Sequence, residues 1–410
     1  MPAPILMLLS SSPFDPSAGS PRSVLEVAYA LAAQGREVHC LATTAVEAAQ
    51  PLVALPWLAQ LGIHPEVDRR GAVGRGCTVL RARSRGVAFT LLDTGKLGVR
   101  EFDFLHGVQF SRLLAQVIDE VGPSVVVTTG GTPPEQSRRE LVRQSGAALV
   151  LHVSSEAALH PLGFEHVDGV IASSGYLAGR YKALLGSEPA QLNPLIDDED
   201  VLAPTRTRRF VTFVNPTPGK GVYFAVRLFD QLQRAIPGIR IRVVATRGTG
   251  DQMLVAARRG GINLSISDSL TICGPVARPR DLWAQTGILL MPSVQPEPVA
   301  RLALEAAANG VAVISSGRGA LGCWPAGIST IVPVPAEMTA EHDAVASQEA
   351  VVPWVEEVAR LSSSGPLLAA EEMARSAMAV YRALSPAERA PVAIDDALRL
   401  GDAAAAIPNA

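Results

Sequence analysis

Three side chains in the second half of the chain suit chemistry on a charged, hydroxylated ligand: Glu297, Glu305 and Lys220. The glutamates stand in Met291-Pro-Ser-Val-Gln-Pro-Glu-Pro-Val-Ala-Arg-Leu-Ala-Leu-Glu-Ala-Ala-Ala-Asn-Gly310. Pro298 suits the first position of a helix, where its missing N–H costs nothing. Asn309-Gly310 is a stop signal, since Gly readily turns left-handed after a last turn. The spacing predicts Glu297 at the mouth of a helix and Glu305 two turns along it. An apolar run at 288–291 precedes the helix and another at 311–315 follows it, so the order reads strand, loop, helix, strand. In a parallel sheet this puts Glu297 at the carboxyl end of a strand, where such sheets bind ligands. The N–H groups of Val299, Ala300 and Arg301 would form an anion site there. A carboxylate beside an anion site suits a ligand with both hydroxyls and phosphates, as a nucleotide sugar has.

Lys220 stands in Asn215-Pro-Thr-Pro-Gly-Lys220-Gly221, directly after an apolar run at 210–215. That order places Lys220 and Gly221 on a βα loop at the same sheet edge as Glu297. A flexible cation there can neutralise a diphosphate. Taken alone, the loop reads better as a solvated surface turn; its conjunction with Glu297 favours a role.

The elements that must position these residues alternate through most of the chain. Residues 5–10 read as a strand, a Ser/Pro/Gly loop runs to 20, and Pro21 opens an amphipathic helix that ends at Gly35. Strands follow at 38–42, 124–128, 148–153 and 169–172; Val125-Val126-Val127 is continuous and apolar, as for a strand buried on both faces. The βα pattern restarts with a strand at 210–215, a helix at 222–235 and a strand at 239–245. The expected class is α/β, in two doubly wound, Rossmann-like domains with a cleft between them. The expected division is an N-terminal domain at 1–197, a polar linker at 198–209 and a second domain at 210–370. A helix at 371–390 packs back on the first domain, and 391–410 is a tail rich in Ala, Pro and small polar residues.

Composition narrows the class. The chain has 410 residues, 48% hydrophobic and 18% charged, with a net charge of −3. That length suits two cores, and that balance excludes a nucleic-acid binder. Cys40, Cys77, Cys273 and Cys323 are scattered, with no spacing for zinc or a disulfide frame, and read as small buried hydrophobes in a reducing compartment. The first nine residues lack a basic start and run into Pro13, Asp15 and Pro16 without a cleavage pattern, so they are expected as a strand. No apolar run reaches membrane-spanning length.

With these residues in place, the chain resembles the retaining glycosyltransferases of family 4, which have the GT-B architecture. The resemblance keeps order over residues 4–382. It rests on the two Glu separated by seven residues, after Pro292-Ser293 and before Asn-Gly-Val-Ala-Val-Ile-Ser-Ser, and on Lys220-Gly221. It implies that Glu297 holds donor-sugar hydroxyls, that Glu305 binds the ribose, and that Lys220 contacts the donor phosphates. Gly19 falls in the N-terminal loop that approaches the diphosphate, and Leu192-Asn-Pro-Leu-Ile-Asp197 looks like the end of the first domain. Four places depart from the pattern. Asn215 stands where many members have Arg, as in a subgroup with Asn-Pro. Pro298-Val299-Ala300 replaces Gly-Phe-Gly, and Gly19-Ser20 replaces two adjacent glycines. A His often found near the reacting sugar is replaced by the stretch Thr128-Thr129-Gly130-Gly131, with His152 and His160 as alternatives; a lone His is more often structural than catalytic. Thr129, Gly130, His152 and His160 are thus the acceptor-side candidates. The resemblance implies a hexosyltransferase of carbohydrate biosynthesis, with a UDP- or GDP-linked sugar as co-substrate, retention of configuration, no metal and no cofactor. The acceptor is unidentified: a glycan, a lipid-linked sugar or a small molecule. The same fold would also serve a sugar-nucleotide epimerase, or a non-catalytic protein that binds nucleotide sugar.

Weaker signals have plainer readings. Gly248-Thr-Gly250 is part of a dinucleotide fingerprint and reads as an ordinary tight turn, not an NAD site. Asp198-Glu-Asp200 reads as a solvated acidic turn. Arg69, Arg70, Arg75, Arg81, Arg83 and Arg85 form a basic stretch that could meet anionic lipid or a phosphorylated acceptor, or simply a solvated loop. A cytoplasmic protein, with peripheral contact at the inner membrane face through 69–85, is the matching expectation. Gly317-Arg318-Gly319 is equally a second phosphate contact and a tight turn.

Overall fold

The computed structural model describes residues 3–49, 52–68, 77–130, 133–159, 161–264, 269–341, 343–384 and 387–405. The chain divides into one unit of Met1–Leu195 with Ser385–Ala410, and another of Ile196–Leu384. The first contains β1 (Ile5–Leu8), α1 (Gly19–Ala33), β2 (Val38–Thr43), α2 (Ala54–Gln60), β3 (Glu66–Asp68), β4 (Thr78–Ser84), β5 (Val87–Asp93) and α3 (Val99–Val121). It continues with β6 (Val125–Thr128), α4 (Pro133–Gln144), β7 (Ala148–Val153), β8 (Gly169–Ala172), α5 (Gly175–Leu185) and β9 (Ala190–Gln191). The sheet order is β3-β4-β5-β2-β1-β6-β7-β8-β9, parallel except at β3–β4 and β4–β5. β1 shows why the sheet is covered on both faces. Ile5 and Met7 pack with Val24, Val27 and Leu31 of α1, while Leu6 and Leu8 pack with Phe110, Leu113 and Val117 of α3. Each such side chain, fully buried, contributes about 2 kcal/mol.

The second unit contains α6 (Asp198–Val201), β10 (Phe210–Val214), α7 (Val222–Ala235), β11 (Ile241–Val244), α8 (Gly250–Arg259), β12 (Leu270–Cys273) and α9 (Pro279–Trp283). After these come β13 (Thr286–Met291), α10 (Arg301–Ala308), β14 (Ala312–Ser315), β15 (Thr330–Ile331), α11 (Gln348–Ser362) and α12 (Ser364–Leu384). The sheet is parallel, in the order β12-β11-β10-β13-β14-β15. Phe213, Val243, Leu290 and Ile314 of its central strands form one core with Phe224, Leu228 and Phe229 of α7 and Trp354 of α11. Among the described residues, no helix is long and apolar enough to cross a membrane.

Two expectations change. The helix that joins the first unit is α13 (Arg389–Ala405), not a helix at 371–390, and it occupies most of the expected tail. Its Ala390, Ala393, Ile394 and Ala397 are buried in that unit's core, at the spacing of one helical face. Small residues that read as tail composition serve close packing instead. The expected linker is also built into the second unit. Asn309 accepts from the N–H of Ala203 at 2.8 Å and donates to the carbonyl of Val201 at 2.9 Å. Arg206 and Arg208 meet the fully buried Glu371 of α12 at 3.3 and 2.5 Å. Removing one partner of a buried ion pair leaves an uncompensated charge. Glu371→Ala is therefore expected to cost about 3 kcal/mol, read as a lower urea midpoint for the second unit; an unchanged midpoint would refute this clamp.

Candidate active site

In the second sheet the chain leaves β10 toward β11 on one side, while β13 lies on the other. The loops after β10 and β13 therefore part at a topological switch point, the crevice where open parallel sheets take ligands. The loop after β10 begins at Asn215, whose φ is 64°. Asn tolerates the left-handed region better than most residues, and its Oδ1 accepts the N–H of Gly248 at 3.0 Å. Asn215 thus shapes the loop and ties it to the turn before α8. Lys220 ends a single 3-10 turn, Pro218–Lys220. Gly221 follows with φ 81°, and a Cβ there would lie 2.0 Å from the Pro292 carbonyl oxygen. Only glycine permits this approach. The Gly219 carbonyl accepts from the N–H groups of Val294 and Gln295 at 3.0 and 3.1 Å. The two loops are zipped together.

This zipper sets Lys220 against Glu297. The ammonium lies 2.6 and 2.5 Å from the two carboxylate oxygens, and the Ser293 hydroxyl donates to Oε1. Glu297 is 5% exposed. Its backbone forms a parallel bridge with Gly319, donating to the Arg318 carbonyl at 3.2 Å and accepting from Ala320 at 2.7 Å. A Cβ on Gly319 would stand 2.5 Å from the Glu297 carbonyl oxygen. Arg318 is a structural brace: its guanidinium donates to the carbonyls of Val294, of Met338 at 2.9 Å and of Pro335 at 2.8 Å.

The bridge delays the helix. α10 starts at Arg301, so Pro298 is not its first residue, and Ala300 caps it at φ 54°, ψ 37°. No partner among the described residues takes the N–H of Val299 or of Ala300. Glu305 is 3% exposed. It accepts from Trp283 Nε1 at 3.3 Å and from Arg301 Nε at 2.7 Å. The structure therefore brings Lys220, Gly221, Ser293 and Glu297 together, while Glu305 is held by α9 and by its own helix. Ser293 was missed by sequence reasoning, although its place four residues before Glu297 was available as a signal. A small hollow beside the pair is lined by Phe213, Met291, Leu302 and Ser293.

In the first unit, Gly19 is the exposed first residue of α1, with open space where a Cβ would be. The loop before it is organised by the buried Asp15, which accepts from Ser17 N at 2.8 Å and from Glu47 N at 2.6 Å. Thr129 and Gly130 follow β6 at this sheet's switch point, between β1 and β6. The Gly130 carbonyl accepts from Arg139 at 2.6 Å, and Arg138 donates to Ser10 Oγ at 2.9 Å. Both arginines are buried; adjacent charges on a helix read as solvated, so sequence reasoning overlooked them. His152 is enclosed on β7, 2% exposed, with its ring nitrogens 3.4 Å from the hydroxyls of Ser154 and Ser173. Burial pushes its pKa down to about 4, so it is neutral at pH 7. It is a core residue, not a group displayed to a ligand. His160, Gly131, Arg69, Arg70 and Arg75 lie outside the described residues.

An L-residue in the left-handed region costs about 1–2 kcal/mol, more than a glycine loses through unfolded-state entropy. Ala300→Gly should raise stability by about 0.5 kcal/mol; a loss on chemical denaturation would count against the strained cap. His152 carries a proton below 6.5 when unfolded, but only below about 4 when folded. Its stabilising contribution is complete above 6.5 and falls as pH drops to about 4, by about 3 kcal/mol. Urea titrations from pH 7 to 4 should show this slope in the wild type and its loss in His152→Asn.

Residues 208–348 match the family model described as glycosyl transferases group 1. No curated protein matches the chain. Solved structures match it over nearly its whole length. Sucrose-phosphate synthase from Thermosynechococcus elongatus is 17% identical with a TM-score of 0.66, covering 98% of this chain and 100% of its own. HepE from Anabaena, in complex with UDP and glucose, is 14% identical with a TM-score of 0.60, covering 96% and 99%. The pneumococcal O-GlcNAc transferase GtfA, in complex with UDP and GlcNAc, is 10% identical with a TM-score of 0.60, covering 98% and 99%. The chain has the fold of the GT-B glycosyltransferases, two Rossmann-like parallel-sheet domains, and its second domain carries the group 1 match.

Proposed function

We propose that this protein is a glycosyltransferase that moves a hexose from a UDP- or GDP-linked donor to an acceptor, with retention of configuration and without a metal or cofactor. One observation carries the reading: an ammonium and a carboxylate, Lys220 and Glu297, share the switch point of the second domain. Negative charge grows on the departing diphosphate, and fixed cations and N–H donors meet it best. Lys220 supplies the cation, and the amides of Val299 and Ala300 supply donors. Glu297 orients the sugar by its hydroxyls, a positioning effect. The leaving phosphate takes the acceptor's proton, so no protein nucleophile is required. Glu305 meets the ribose once Arg301 or Trp283 yields an oxygen to it. We assign the acceptor to the first domain, through the loops after β1 and β6. The family 4 resemblance, with Asn-Pro at 215–216 as a subgroup trait, a cytoplasmic setting in carbohydrate biosynthesis, and a peripheral membrane contact through 69–85 belong to the same proposal. The ligands named with HepE and GtfA, UDP with glucose and UDP with GlcNAc, support a nucleotide-linked donor.

A thermal-shift screen of UDP-, GDP- and sugar-linked forms tests the reading, because a ligand that binds only the folded state raises its melting point. A donor should shift the melt, and a chelator should leave turnover unchanged. Lys220→Ala should lower turnover about a hundredfold, equivalent to about 3 kcal/mol. Binding without turnover across a broad acceptor panel would indicate a binding protein, and donor conversion without acceptor an epimerase. The absence of any shift would defeat the proposal.

A further inference from the structure

Any anion that draws Lys220 away must leave Glu297 behind. That carboxylate is 5% exposed, and the Gly319 bridge holds its backbone in place. Its backbone cannot follow the ammonium. Apart from Lys220, the group it bonds with among the described residues is the neutral hydroxyl of Ser293. A buried charge stripped of its counter-ion is costly. A bare nucleoside diphosphate can replace Glu297 at Lys220 but offers Glu297 nothing in return. A nucleotide sugar offers both a diphosphate for the ammonium and hydroxyl donors for the carboxylate.

Resting on the donor reading above, we infer that Glu297 is a specificity-determining group that competes with the diphosphate for Lys220, so that the site favours a nucleotide carrying its sugar over the bare nucleotide. Ser293 is the positioning residue. It pins Oε1 when Lys220 is drawn off, and so presents Oε2 to the sugar. After transfer the sugar hydroxyls are gone, Glu297 reclaims Lys220, and the nucleoside diphosphate is expelled. Neither oxygen need move far, since Lys220 and Glu297 are in direct contact.

Calorimetric titration of UDP and UDP-glucose, with GDP and GDP-mannose as a second pair, tests this on the full chain. Wild type should bind the sugar-linked form of the accepted pair about tenfold or more tightly than its bare diphosphate. Glu297→Gln keeps the volume and can still accept from Ser293, but removes the negative charge that competes for Lys220. It should tighten the bare diphosphate by about tenfold and abolish the preference for the sugar form. Ser293→Ala leaves the ion pair, so the bare diphosphate should bind within about twofold of wild type while the preference shrinks. A bare diphosphate bound equally or more weakly by Glu297→Gln, with a wild-type melt, would overturn the inference. So would a wild type that binds UDP and UDP-glucose alike, a result that needs no variant and leaves the donor reading intact. If neither pair binds wild type, the donor reading itself falls and takes this inference with it.

Discussion

The contact between Lys220 and Glu297 is the constraint around which the second domain's ligand edge is built. An ammonium and a carboxylate this close require their loops to be fixed to fractions of an ångström. The neutral parts of the structure do that work. Gly219 accepts two amides from the opposite loop, Gly221 lets the backbone pass within contact of Pro292, and Gly319 bridges to Glu297 itself. Arg318 braces the same loop from behind through three carbonyls. The charges are the consequence of this frame, since a half-buried pair offsets its own desolvation only when its geometry is imposed.

The first domain meets the same topological problem with different chemistry. Its switch point between β1 and β6 has buried arginines: Arg139 on the carbonyls of Gly130 and Gly163, and Arg138 on the Ser10 hydroxyl and the Asp103 carboxylate. Burial pulls the Arg139 guanidinium below its ordinary range, with Glu135 and Glu165 opposing that pull. Asp15 fixes the preceding loop by accepting backbone amides. His152, on the neighbouring strand β7, is neutral and enclosed. Arginines on backbone carbonyls shape this domain's rim, and an ammonium on a carboxylate shapes the second's.

Much of this was legible in the chain. Apolar runs with helical segments between them announce parallel sheets, because only strands covered on both faces read that way. The turn chemistry around Lys220 and the stop at Asn309-Gly310 located the two key loops to within a few residues. The start of α10 was misread because Pro298 satisfies a local preference, whereas the long-range bridge from Glu297 to Gly319 holds the chain extended there. The chain end was misread for a related reason. Alanine-rich segments look featureless until a strand surface is available for close packing, as it is for Ala393 and Ala397 of α13.

The sequence by itself therefore determined the class of fold, the order of its elements and the side chains with chemical capacity, because these depend on periodicity and residue type over short spans. Tertiary structure alone decided which of those side chains touch. It joined Lys220 to Glu297 across 77 residues, recruited Ser293 to hold that carboxylate, occupied Glu305 with Trp283 and Arg301, and enclosed His152. The reason is physical: contact between distant residues is set by strand order and loop register, which no local pattern encodes.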